Sequence, residues 1–114
     1  MGDHLVVRVD GREYGIPMST IREVTSVRPP TMVPGLPDYI RGVVLFDERL
    51  TPVVDPARFM NGPLLEISAR SCLVFVDGEP VSALLIDDIV GVVDEAFEQE
   101  LQILSVPSSK GKPV

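Results

Sequence analysis

Hydrophobic positions in this chain fall in short alternating or continuous runs broken by Gly, Pro and Asp, and long helical periodicity is absent. His4 to Val9 alternates, with Leu5, Val7 and Val9 on one face, and predicts a strand. Asp10-Gly11 is a hairpin turn signal, and Glu13 to Pro17 is the return strand. Met18 to Ile21 predicts a short connector, one helical turn capped by Ser19. Arg22 to Arg28 predicts a third strand, stopped by Pro29-Pro30. The same grammar returns later. Ser71 to Val76 predicts a strand, Asp77-Gly78 a turn, Val81 to Ile86 a return strand, Asp87-Asp88-Ile89 a connector, and Val90 to Asp94 a further strand. Leu5-Val6-Val7-Arg8-Val9-Asp10-Gly11 parallels Leu73-Val74-Phe75-Val76-Asp77-Gly78, and Ile21 parallels Ile89. This is a faint two-fold repeat, about 67 residues apart.

Between the halves lies the densest punctuation. Pro34 and Pro37 stiffen the approach, and Gly35 supplies a permissive turn position. Pro37 suits the first position of a short helical segment over Asp38-Tyr39-Ile40-Arg41, which Gly42 ends. Val43 to Phe46 is a short apolar run and predicts a buried strand, broken by the charges of Asp47-Glu48-Arg49. Leu50 to Val54 returns. Pro52 cannot donate to a ladder, which places this strand at an edge or a bulge. Asp55 to Met60 predicts a short helix stopped by Asn61-Gly62-Pro63, and Leu64 to Arg70 a loop. Glu95 to Leu101 is acidic and without a clear assignment, and Leu101 to Val106 predicts a short strand. Residues 1–107 read as one domain, and 108–114 as a flexible tail.

Composition agrees with a β-rich single domain. The 114 residues are 45% hydrophobic, with six Phe and Tyr, no Trp, 11 Pro and 9 Gly. The net charge of −7 argues against nucleic acid and against anionic membranes as main partners. No apolar run approaches the ~20 residues of a membrane span. The run Leu5 to Val9, split by Arg8, is too short for a signal peptide. One cysteine, Cys72, excludes an internal disulfide and fits a reducing compartment, which places the chain in the cytoplasm.

Catalytic chemistry finds little support. The single His4 reads as a solvated terminal histidine and Cys72 as a core residue, so no Cys/His dyad or zinc set forms. No GxGxxG, P-loop or GxSxG pattern is present. The alternative in this class is a small acidic metal-binding or hydrolase domain using Asp55, Asp87 and Asp88, which would have to converge. No cofactor is implied.

The order of elements from Pro34 to Asp55 resembles the CheW-like family, the adaptor domain of bacterial chemotaxis. Gly42-Val43-Val44 and Pro52-Val53-Val54-Asp55 match the family's pattern. So do Glu13-Tyr14-Gly15-Ile16 with Ile21-Arg22-Glu23-Val24, and Ala83 to Val92. The middle departs: Leu45-Phe46-Asp47-Glu48 stands where the family carries Asn-Leu-Arg-Gly, so an arginine used for partner contact is here Asp47. The resemblance implies an all-β fold of two small intertwined five-stranded barrels with short helices. The family normally continues with strands that complete the first barrel, so the resemblance implies a first barrel left incomplete here unless this is a fragment or a partner or second copy supplies the pairing. It implies a non-catalytic adaptor that couples a chemoreceptor cytoplasmic tip to the regulatory domain of a CheA-type histidine kinase. Ile21, Glu23 and Val24, with Gly42 and the strand that follows it, would border the receptor groove, and the Gly42 to Leu50 hairpin and its flanks, with Val44, Phe46, Asp47, Glu48 and Leu50, would contact the kinase. Asp47 turns a cationic rim anionic and would repel an acidic partner patch. That departure keeps open a divergent module that self-assembles, as a homodimer, or serves other partners.

Overall fold

A computed structural model describes residues 2–94 of the chain. Eight strands and one short helix follow in order: β1 (His4–Val9), β2 (Arg12–Pro17), β3 (Ile21–Ser26), β4 (Ile40–Phe46), β5 (Arg49–Val54), α1 (Pro56–Phe59), β6 (Cys72–Val76), β7 (Ser82–Ile86) and β8 (Asp88–Val93). The fold is all-β. The strands form a three-stranded sheet, β2-β1-β8, and a five-stranded sheet, β3-β6-β7-β5-β4. Residues 95–106, for which the sequence predicts an acidic stretch and a short strand, and the tail after them lie outside the described residues.

The internal repeat has a structural meaning. Each half begins with a hairpin, β1–β2 or β6–β7, and sends its third strand to the other half: β3 pairs with β6, and β8 pairs with β1. Even the irregularities correspond. The β3–β6 register skips Arg22, and the β1–β8 register skips Val90, one extra residue on the exchanged strand each time. The two halves are therefore intertwined through exchanged strands.

The core follows from the continuous apolar runs. In β7 every residue from Ser82 to Ile86 is buried, and β6 is buried from Leu73 to Val76. These strands are covered on both faces, which is why they read as unbroken rather than alternating runs. Leu5, Val7, Val9 and Ile16 of the smaller sheet join the same cluster. His4 is buried beside them, not solvated as its terminal position suggests: its strand is the middle one of its sheet. Cys72, expected in the core, opens β6 and is only partly buried.

Several local expectations need correction. The turn after β2 is a 3₁₀ turn, Met18–Thr20, whose cap position is Pro17. Ser19 caps nothing, and the Thr20 hydroxyl donates to the Pro17 carbonyl instead. The segment 38–41 is not helical. A turn closed by the Ile40 N–H on the Pro37 carbonyl runs straight into β4, because Tyr39 O is taken by the Asp55 N–H at 2.7 Å. The link between β6 and β7 runs from Asp77 to Val81 and holds a cis peptide before Pro80, so Asp77-Gly78 is not a two-residue turn. Strand β5 is interior rather than an edge. Pro52 is tolerated there because Val43, opposite it, spends its N–H and carbonyl on Thr31. The Pro52 nitrogen thus faces the β7 side, where pairing starts only at Val53.

Helix α1 forms as expected, with Asp55 as N-cap and Pro56 in the first turn. Asp55 does more than cap. It is wholly buried, and its carboxylate accepts from Arg58 N (3.0 Å), Leu65 N (2.9 Å) and an Arg41 guanidinium nitrogen (2.7 Å). Arg41 also reaches the Leu65 carbonyl at 2.9 Å. Asp55→Ala would leave a part-buried guanidinium and two amides unsatisfied. It should cost about 3–5 kcal/mol, read as a fall in the urea midpoint.

At the open end of the β1–β8 pair sits a second carboxyl arrangement. The Asp3 carboxyl is held above its ordinary value, first by the hydrogen bond it shares with Asp94 and then by that group's charge. The raised value means that the folded chain keeps a proton the unfolded chain releases, so this contribution is present at low pH and is lost as pH rises through the folded value. Asp3→Asn should therefore melt above the unsubstituted chain at neutral pH, with the gap narrowing on acidification. Thermal melts across pH 3–7 check the sign.

Candidate functional site

The five-stranded sheet curls until its edge strands, β3 and β4, face each other across a groove of about 640 Å³ lined by Arg22, Glu23, Arg28, Leu45, Phe46 and Asp47 among others. No backbone ladder joins these two edges. Two arginines of the β3 side span the gap instead. Arg28 donates to the Leu45 carbonyl at 3.0 Å and lies 5.6 Å over the Phe75 ring. Arg22, pushed outward at the bulge, pairs with Asp77 at 3.2 Å and lies 3.9 Å from Asp47. Phe46 lines the groove and stacks on the fully buried Phe75 beneath it, with ring centres 4.2 Å apart.

The hairpin β4–β5 closes through Asp47 and Glu48, at φ 53° and 64°. This is the backbone that Asn-Gly or Gly-Gly supplies most easily, and here two carboxylate side chains hold it. A two-residue tip sets the register Phe46↔Arg49, Leu45↔Leu50, Val44↔Thr51. Val44 and Thr51 point into the core, whereas Leu45 and Leu50 stand side by side facing solvent, 59% and 73% exposed. The run Val43 to Phe46 is thus an alternating strand rather than a fully buried one. Its outer face continues into a second groove of about 360 Å³, lined by Val33, Val43, Leu45 and Leu50 with Pro29 and Arg28. Met32 stands beside it in sequence, 74% exposed.

The structure sorts the residues singled out from sequence into distinct places. Glu23, Phe46 and Asp47 share the groove between the sheet edges. Leu50 and Val44 line the groove behind the hairpin. Glu48 is exposed at the tip, and Val24 is exposed on β3, while Ile21 packs against the core. Gly42 presents no contact surface. It lies buried within β4 beside a register shift, at φ 133°, and does not end a helical turn. A Cβ there would sit 2.5 Å from the Thr31 carbonyl oxygen, so glycine is required by the close approach of the Pro29–Thr31 segment. Sequence reading placed Leu45 only within the Gly42 to Leu50 hairpin and singled out neither Met32 nor the two bridging arginines. A two-residue tip at Asp47-Glu48, in place of a three-charge break, would have put Leu45 opposite Leu50.

The acidic residues suggested as a metal or hydrolytic set do not converge. Asp55 is spent on α1 and Arg41. Asp87 accepts from the Asp10 amide at 2.8 Å, and Asp88 pairs with Arg8 and Arg70. Among the described residues no cluster of His, Cys, Asp or Glu could hold a metal ion. Burial, and then Asp88, push the Cys72 thiol up, which keeps it protonated and a poor nucleophile. Among the described residues, no helix is long and apolar enough to cross a membrane.

Comparison with known proteins points one way. The model of the CheW-like domain family matches residues 3–110. The chain is 29% identical over 98 residues to the chemotaxis protein CheW of Bacillus subtilis, covering 86% of this chain and 63% of that protein. It is 29% identical over 97 residues to protein PilI of Pseudomonas aeruginosa, covering 81% and 54%. The chain thus spans less than two thirds of the length of these relatives. The crystal structure of the scaffolding protein TtCheW from Thermoanaerobacter tengcongensis superposes with a TM-score of 0.75 at 20% identity, covering 82% of this chain and 64% of that one.

The Gly42 geometry yields a test of its role. Gly42→Ala must displace the Thr31–Val43 bridge and adopt a left-handed backbone, at a cost of about 1–3 kcal/mol. Denaturant unfolding should show that loss. Faster amide exchange at Thr31 and Val43 would localise it.

Proposed function

The chain belongs to the CheW-like domain family, and on that premise we propose that it is a non-catalytic chemotaxis adaptor. It would work in the cytoplasm and couple a chemoreceptor tip to the regulatory domain of a CheA-type histidine kinase. The observation that carries this reading is the pair Leu45 and Leu50, held side by side in solvent on a hairpin whose inner face is fixed to the core. Apolar area presented this way favours association, and the polar margin orients it. The names of the relatives and the shared fold support the same role.

The two grooves suit two partners. The one between the β3 and β4 edges, with Glu23 and Phe46, would take a receptor helix, and Val24 lies on the same strand. The hairpin end, with Val44 behind it and Leu50 in front, would meet the kinase domain. The test is a pull-down of the full chain against a receptor cytoplasmic tip and, separately, a CheA-type regulatory domain. Both should be retained. Leu50→Glu should lose at least about tenfold in affinity for the kinase domain and keep the receptor tip, since a charge in the centre of a docking patch costs most there. Failure of the unsubstituted chain to retain either partner would overturn the adaptor reading.

A further inference from the structure

The hairpin end sets acidic side chains beside its exposed apolar pair. Asp47 and Glu48 cap the apolar pair Leu45 and Leu50, and the Asp47 side chain is 72% exposed. The neighbouring β6–β7 loop adds Asp77 and Glu79 to the same end. Against them stand Arg49 and Arg22, and Arg22 is engaged by Asp77 at 3.2 Å while only touching Asp47 at 3.9 Å. A cation arriving from outside could therefore take Asp47 without stripping Arg22 of its better partner. Glu48 has no ion-pair partner among the described residues.

We propose that this end docks a partner segment whose apolar ridge is edged by lysine or arginine, with Asp47 and Glu48 as the specificity-determining residues. A second copy of this chain is a poor occupant. The chain carries a net charge of −7, and one further exposed apolar strip among the described residues, Val90 and Val92 on β8, lies between Asp88 and Asp94. Pairing that strip with the acidic hairpin would bring like charges together. A cationic margin instead meets complementary potential and is steered by the charge of the whole chain.

The inference rests on the adaptor reading for where a partner docks, but its test needs neither kinase nor receptor. The probes are two synthetic helical peptides sharing one leucine-rich face, one margined by lysine and the other by glutamate. Each is titrated into the isotope-labelled full chain and followed by amide NMR. The lysine peptide should shift amides of residues 43–50 and bind more weakly as salt is raised. Asp47→Lys with Glu48→Lys should reverse the preference, by about tenfold in each direction. Asp47→Asn with Glu48→Gln, which keeps the turn geometry accessible, should abolish it. Equal or tighter binding of the glutamate peptide to the unsubstituted chain would overturn the proposal. So would lysine-peptide shifts that avoid residues 43–50, or a preference unchanged in both variants. Loss of kinase binding with the peptide preference intact would count against the adaptor reading alone.

Discussion

The buried carboxylate of Asp55 holds the middle of this structure together. It terminates β5, caps α1, fixes the amide of Leu65 and balances the guanidinium of Arg41, while its own amide ties back to Tyr39. Three donors, from β4, from α1 and from Leu65, meet on one side chain. Both of its oxygens accept hydrogen bonds, one of them from a guanidinium, which makes a fully buried charge tolerable. The start of β4 and the end of β5 are thereby set, and with them the register that carries the hairpin outward. The edge-to-face contact of Tyr39 and Phe59 at 4.9 Å closes the same corner.

From that fixed root the hairpin reaches solvent with its two faces sharply different. The inner face inserts Val44, Phe46 and Thr51, and Phe46 stacks on the fully buried Phe75. The outer face is left with Leu45 and Leu50. Dense packing on one side is what permits bare leucines on the other, because the backbone has no freedom to turn them inward. The tip geometry is part of the same arrangement. Non-glycine residues at positive φ cost stability in a turn, and here the positions go to carboxylates at the margin of the apolar pair.

Much of this was legible in the sequence, and the failures share a cause. Hairpin β1–β2, strands β6 and β7 and helix α1 announce themselves because local chemistry decides them: Asp10-Gly11, unbroken apolar runs, and Asp55-Pro56. The repeat of Leu5 to Gly11 in Leu73 to Gly78 pointed to two related halves, and the exchanged strands β3 and β8 are its three-dimensional expression. Asp38 to Arg41 carries a plausible helical signal, but the Asp55 amide claims Tyr39 O, a long-range contact that no local window contains. Pro52 looked like an edge residue because a single sequence cannot show that β7 starts its pairing one residue later. Of the residues named from sequence, Glu23, Phe46 and Asp47 share the groove between the sheet edges, and Val44 and Leu50 line the groove behind the hairpin. Gly42 was misplaced: its reason is the Thr31 carbonyl, not a partner.

The exchange of strands also fixes one wall of the main groove. Strand β3, one wall of the main groove, belongs by sequence to the first half and by hydrogen bonding to the second. Its bulge at Arg22 has a counterpart at Val90, yet only the first places a cation there, within reach of both Asp77 and Asp47. Equivalent backbone thus carries different chemistry in the two halves: an ion-paired arginine facing a groove in one, an exposed valine on a sheet edge in the other. The duplicated framework sets where the bulges fall. The residue at each bulge sets the chemistry of the surface there, and it can differ between the halves without any change in the core.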